Sequence, residues 1–194
     1  MKLSDVANIR TGLILSRKQD EKNTNFIYKS LNLKCINPLG YVDKNALDVF
    51  KTNEKLKGCY ITKKDDVVVK LTMPYTAILI DETTENLVVS SNFLIIRCDK
   101  EKILASYLYW FLNKENVKHY MFKNATSNML NAVNSSNYNN LNIDLIPIEK
   151  QKIIGNLCLL SLKENKLTLD LQQQKLKYNK ILLNQINNKY KGEK

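Results

Sequence analysis

Few side chains in this sequence are of types that make or break bonds, and their spacing does not assemble them. His119 is the single histidine. It stands beside Tyr120 in a stretch of helical periodicity with no nucleophile at a matching interval, and a lone base without a nucleophile or metal does no chemistry. The adjacent carboxylates Asp65-Asp66 and Asp81-Glu82 are of the kind that hold Mg²⁺ in nucleases, but they occupy turn positions, where such pairs are ordinarily solvated. The four cysteines, Cys35, Cys59, Cys98 and Cys158, are far apart and form no Cys-x-x-Cys pair. Neither a structural zinc site nor a disulfide framework is expected, and reduced thiols in a cytoplasmic protein fit best. Five glycines leave no Gly-x-Gly, so a phosphate-cradling loop for a nucleotide, S-adenosylmethionine or a dinucleotide is not expected either. The sequence predicts a chain with no cofactor, no metal and no catalytic role.

Its chemistry is that of binding. Thirty Lys and Arg against nineteen Asp and Glu give a formal charge of +11, which points to a polyanion or an acidic surface as partner. The excess is shared: residues 1–146 carry net +5 and residues 147–194 net +6. The segment Leu71-Thr72-Met73-Pro74-Tyr75 interrupts an apolar run. It shares only its Pro-Tyr end with the Asn-Pro-Pro-Tyr loop of amino-methyltransferases and lacks the amide and the first proline. It therefore reads as a proline-made break between two strands.

The elements that position these groups follow from periodicity. Lys2 to Arg10 opens as a short strand or turn, and Ser16 to Asn23 reads as an exposed polar loop. Phe26–Leu31 and Lys34–Ile36 are strand candidates closed by the turn from Asn37 to Gly40, and Asp48–Lys51 and Tyr60–Ile61 flank another basic loop, Asn53 to Gly58. Val67–Leu71, Thr76–Ile80, Leu87–Ser90 and Phe93–Arg97 are rich in β-branched residues and read as a meander. Leu104, Tyr107, Leu108, Phe111 and Leu112 then make a helical face, and Val117, Tyr120 and Met121 a shorter one. Lys123 to Asn140 reads as a loop with a brief helical turn, Leu141–Leu145 as a strand, and Pro147 as the start of a helix. The fold class expected is α+β: mixed, mainly antiparallel β with short helices over residues 1–146, then one long coiled-coil helix over 147–194. The opening residues lack a signal peptide's apolar run and no segment has the length to span a membrane, so a soluble cytoplasmic protein is expected.

The closing helix carries two apolar series. Leu162, Leu169, Leu176, Leu183 and Tyr190 fall seven apart. Leu157, Leu160, Leu167, Leu171, Tyr178 and Ile181 fall at alternating steps of three and four once Glu164 and Gln174 are counted as polar interruptions. At about 100° per residue the two stripes lie on nearly opposite sides of one helix roughly 65 Å long, and each wants a partner.

Several segments, in order, are similar to a known family. Lys2-Leu3-Ser4-Asp5-Val6-Ala7-Asn8-Ile9-Arg10-Thr11-Gly12, the run from Asp66 to Leu71, Ala77 to Ile80, Val88 to Arg97, Tyr107 to Asn113, and above all Leu141-x-Ile143-x-Leu145-Ile146-Pro147-Ile148-Glu149-Lys150-Gln151 followed by Ile153-Ile154 resemble a target recognition domain and helix start of the specificity subunit of type I restriction–modification systems. The resemblance covers essentially the whole chain. Family members usually carry two such domains and two long helices, so a half subunit, or a fragment of a full one, is implied. Lys150 stands where the family often has a second acid, and a second proline near Pro147 is missing.

The resemblance implies double-stranded DNA as ligand, with methyltransferase subunits, and through them a restriction subunit, as protein partners. Arg10, Arg17, Lys18, Lys51 and Lys70 would contact phosphates. Thr72 and Tyr75 at the proline break, Ser91 and Asn92, and Thr126, Ser127 and Asn128 would read base edges. Leu157, Leu160, Leu167, Leu171, Tyr178 and Ile181 would form an antiparallel homodimer seam. Leu162, Leu169, Leu176 and Leu183 would face the methyltransferase. A symmetric dimer would read an interrupted palindrome. The alternative is a free-standing basic coiled-coil DNA-binding protein, a repressor or architectural factor, which would need no methyltransferase.

Overall fold

Strand β4 (Asp66–Lys70) is buried on both faces, and the fold is built outward from it. The computed structural model describes residues 1–20, 24–126 and 131–191. Four strands make one sheet in the order β1 (Ala7–Thr11), β7 (Phe93–Cys98), β4, β5 (Ala77–Leu79), with every pair antiparallel. A second sheet has the order β3 (Asp48–Thr52), β2 (Phe26–Leu31), β6 (Leu87–Val89); β2 pairs antiparallel with β3 and parallel with β6. The architecture is α+β and mainly antiparallel, with three short helices and one long C-terminal helix.

Alternation of side chains along β4 and β7 feeds two layers. Val68, Phe93 and Ile95, with Ile78 and Ile80 from the β5 side, pack against Leu31, Cys35, Val42, Leu87 and Val89. The opposite residues Val67, Val69, Leu94 and Ile96 are equally buried. Helix α1 (Ala105–Leu112) packs on β4 and β5, and α3 (Ser135–Asn139) lies against β1. Helix α2 (Glu115–Lys123) follows α1 directly.

The expected four-strand meander is not formed. The Asp81–Asn86 turn carries the chain away from β5, so β6 joins the second sheet and β7 returns to pair with β4. Thr62 anchors that crossing: its buried hydroxyl donates to the Thr84 carbonyl at 2.8 Å and accepts the Leu87 N–H at 2.9 Å. The strand candidate Lys34–Ile36 falls largely in a 3₁₀ turn instead, Leu33–Cys35, and a further 3₁₀ turn spans Gly58–Tyr60. The run Leu141–Leu145 makes only a single bridge, Lys2 to Asn142.

The chain divides into two compact units, Met1–Asn156 and Leu157–Lys194. Helix α4 (Ile148–Lys191) supplies its first two turns to the first unit, where Gln151 and Gly155 are buried. The rest of α4 makes up the second unit. No helix among the described residues is long and apolar enough to cross a membrane.

Candidate nucleic-acid interface

The proline break becomes a tight turn after β4. The Met73–Pro74 peptide is cis and Tyr75 takes a positive φ of 54°. The Tyr75 N–H donates to the Thr72 carbonyl at 2.9 Å, and the Lys70 ammonium donates to the Met73 carbonyl at 2.8 Å. Burial pushes the Lys70 amine below its ordinary value. Two neighbouring segments pin the turn from its flanks. The Leu71 N–H donates to the Asn92 carbonyl at 3.0 Å, and Val133 N–H donates to the Leu71 carbonyl at 2.9 Å. Thr126 folds onto the same segment, its N–H and hydroxyl both donating to the Ala132 carbonyl, at 3.1 and 3.0 Å.

One end of the first sheet therefore gathers Lys70, Thr72, Tyr75, Asn92 and Thr126 from segments distant in sequence. Asn92 and Thr126 are exposed, and Thr72 is half-buried. Tyr75 is different: it is 2% exposed and its hydroxyl donates to the Asn131 carbonyl at 2.6 Å. Its phenol is pushed above the ordinary value by burial. As a base reader it is misplaced, because its one polar atom is spent inside the protein. It supports the turn instead. Ser91 is half-buried, with its N–H on the Leu13 carbonyl at 2.8 Å. Ser127 and Asn128 lie outside the described residues.

A second group forms around β3. Arg17 ends a 3₁₀ turn and is exposed, as is Lys51, which stands opposite Ile27 in the β2–β3 register. The Asp20 N–H donates to the Lys51 carbonyl at 3.0 Å, which draws the two segments together. Lys18 is engaged, with its ammonium 2.5 Å from Glu54. Arg10 belongs to neither group. It is exposed on β1, its guanidinium 3.4 Å from Cys59 Sγ, and with Asn8, Cys59, Ile95 and Arg97 it lines a groove of about 350 Å³. Arg97 there is committed to Asp66 and to the carbonyls of Gly58 and Ile61.

Reading by residue type missed two features of this surface. Met73, at the tip of the turn, is 49% exposed. From Asn116 to Ile143 there is not one Asp or Glu, while Asn recurs nine times. That bias was open to view in the sequence as a charge pattern. An acid-free, amide-rich surface suits an anionic ligand that presents donors and acceptors. Among the described residues, no three His, Cys, Asp or Glu side chains stand close enough to hold a metal ion.

The second unit exposes both of its stripes. Leu157, Leu160, Leu167, Leu171, Tyr178 and Ile181 are all exposed, as are Leu169, Leu176 and Leu183 on the other side, while Leu162 is half-buried. An isolated helix does not carry so much exposed apolar surface without a partner to cover it.

No protein-family model and no curated protein matches the sequence. Solved structures do match in fold. A chain from the structural analysis of complex assembly and conformational transition of the type I R-M system superposes with a TM-score of 0.65 at 16% identity, over 87% of this chain and 43% of that one. The HsdS subunit from Thermoanaerobacter tengcongensis gives 0.63 at 16% identity, over 94% of this chain and 46% of its own. The type I restriction-modification S subunit from M. genitalium gives 0.51 at 14% identity, over 87% and 39%. The chain thus shares its fold with these type I restriction–modification structures, as the ordered segments led us to expect, and it spans less than half the length of each.

Proposed function

We propose that this chain is a sequence-recognition subunit of a type I restriction–modification complex. The observation that carries the reading is the shared fold, which takes in 87% and 94% of this chain in two of the matched structures. The first unit would grip one half of a bipartite DNA site. Arg10, Arg17 and Lys51, exposed and with no carboxylate partner among the described residues, would hold phosphates and give salt-dependent affinity. Lys18 and Lys70, already engaged with Glu54 and the Met73 carbonyl, would serve less. Thr72, Ser91, Asn92 and Thr126 would supply hydroxyls and amides to base edges, with Ser127 and Asn128, next to Thr126 in sequence, as further candidates. The chain itself would do no catalysis; methyltransferase subunits, and a restriction subunit joined through them, would do the chemistry.

The helix would bring two copies together. Its stretch Leu171–Lys191 holds five lysines and no acid, whereas Glu149, Glu164 and Asp170 all precede it. Parallel pairing would lay lysines along lysines. Antiparallel pairing sets the basic half beside the half that holds the acids, which favours the two-fold arrangement. A homodimer seam of Leu157, Leu160, Leu167, Leu171, Tyr178 and Ile181 leaves the opposite stripe uncovered for methyltransferase subunits. That second stripe also weighs against a free-standing repressor, whose dimer would need only one.

Methylation mapping of DNA exposed to this chain with its methyltransferase tests the reading. The expected outcome is one interrupted palindrome, two identical half-sites inverted about a gap. A bipartite motif with unlike halves would exclude the homodimer while leaving the recognition role intact. Failure to retain any methyltransferase on co-purification would favour the free-standing DNA-binding protein.

A further inference from the structure

Met73 is an apolar side chain that stays 49% exposed at the tip of the turn, its sulfur accepting from the Asn131 side-chain amide at 3.9 Å. On a slack loop a methionine would fold back onto the protein. Here the backbone on both sides of it is pinned: Tyr75 N–H to Thr72, Lys70 to the Met73 carbonyl, Leu71 N–H to Asn92, and the Tyr75 hydroxyl to Asn131. Pro74 follows it, also exposed, and Tyr75 is driven into the core beneath. The tip cannot retreat. Around it stand a hydroxyl, an amide and a cation: Thr72 and Thr126, Asn92, and Lys70. The described segments that meet there, 67–80, 87–98, 116–126 and 131–143, contain no carboxylate at all.

We propose that Met73, backed by Pro74, is a wedge that enters a base step of the bound DNA, with Asn92 and Thr126 at the edges of the flanking bases. The inference rests on the DNA-recognition reading above and goes beyond it, because it names the side chain that deforms the duplex. Methionine and proline are among the residues that partly unstack a step in this way, since only a rigid apolar tip replaces the stacking it displaces. The neighbouring polar groups then meet base edges that the wedge has opened, and the lack of acids lets the phosphates close around it. Specificity would come in part from the step itself, pyrimidine–purine steps being the easiest to open.

The test uses the full chain and a pool of random duplexes. Wild type is expected to enrich a sequence. Placing 2-aminopurine at each step of that sequence in turn should then give a several-fold fluorescence rise at one step of each half-site only. Met73→Ala should return that step to the free-duplex signal and weaken binding about 10-fold, whereas Met73→Leu should keep both. An unchanged urea midpoint shows that the alanine variant folds. If wild type enriches a sequence but brightens no step, or if Met73→Ala brightens the same step as strongly, the wedge is wrong and recognition stands. If wild type enriches nothing, the recognition reading itself falls, and the wedge with it. A Met73→Ala variant that binds DNA as wild type but loses the methyltransferase would instead make the tip a protein contact, and overturn the proposal.

Discussion

The side-chain carbonyl of Gln151 accepts the backbone N–H of Leu104, the residue that precedes helix α1, at 2.9 Å. The same amide donates to the Lys102 carbonyl at 3.1 Å and to the Ile146 carbonyl at 2.8 Å. One side chain, 1% exposed, thereby satisfies three backbone groups at the junction of two helices. Gln151→Leu keeps the volume and strands all three. Each unmet group costs about 1–3 kcal/mol, partly relieved where water reaches, so a loss of roughly 3 kcal/mol is expected. A urea midpoint that falls accordingly at constant m checks it.

One turn further, Gly155 touches α1 so closely that an added Cβ would lie 2.3 Å from Ser106 Oγ and 2.7 Å from its Cβ. In an open helix alanine would gain about 1 kcal/mol over glycine. Here the clash prevails, and Gly155→Ala should destabilise by about 1–3 kcal/mol. Ser106→Gly removes both offending atoms. The double variant should recover most of the loss in thermal unfolding; if it recovers none, the close approach is not the cause.

Acid sensitivity should centre on the Asp81 turn. Burial would raise this carboxyl, but hydrogen bonds from the Thr83 and Thr84 hydroxyls and the Thr83 N–H, with the nearby Lys44 charge, outweigh it and hold it below the usual carboxylate value. A group lowered on folding contributes stability above its unfolded pKa and loses it as the pH falls through the folded one. Wild type should therefore weaken as the pH drops below about 4. Asp81→Asn should be less stable at pH 7 and flatter across the acid range. Urea midpoints between pH 3 and 7 measure both.

Cys98 closes β7 and should be chemically silent. Burial, then the charges of Asp66 and Asp65, push its thiol up to about 12, with only Lys100 opposing. At pH 8 its thiolate fraction is about 1,000-fold below that of a thiol at its ordinary value. Iodoacetamide followed by peptide mass mapping should leave Cys98 unmodified in the folded protein and label it after denaturation. Labelling in the fold at the denatured rate would mean that β7 opens.

Strands with β-branched runs and turns with Pro, Asn or Asp were legible because those residues act locally. The order of the strands was not. Leu87–Val89 reads as the third strand of a meander, yet it pairs in parallel with Lys29–Leu31, a partner that no local signal names. The site showed the same division. Asn92 and Thr126 were identified by residue type and do reach the surface, but Tyr75 was misjudged because its burial depends on the carbonyl of distant Asn131. Met73 was passed over because an apolar residue reads as core until its neighbours are seen to hold it outside. Gln151 stood in the most telling motif of the sequence, and only the fold shows that it works on the α1 junction.

The two helix stripes make the sharpest separation. Leu167 and Leu176 are nine residues apart, which at about 100° per residue puts them on opposite sides of α4, and both are exposed. If the Leu167 side is the dimer seam, Leu167→Asp removes a buried leucine from each copy. At about 1.5–3 kcal/mol per leucine, that weakens association by on the order of 1,000-fold. Molar mass from light scattering at micromolar concentration should fall towards that of one chain. Leu176→Asp should leave that mass unchanged and abolish retention of the methyltransferase. Reversed outcomes would exchange the roles of the stripes. If neither substitution changed mass or retention, the helix would not be an assembly element, and the first unit would have to carry both contacts.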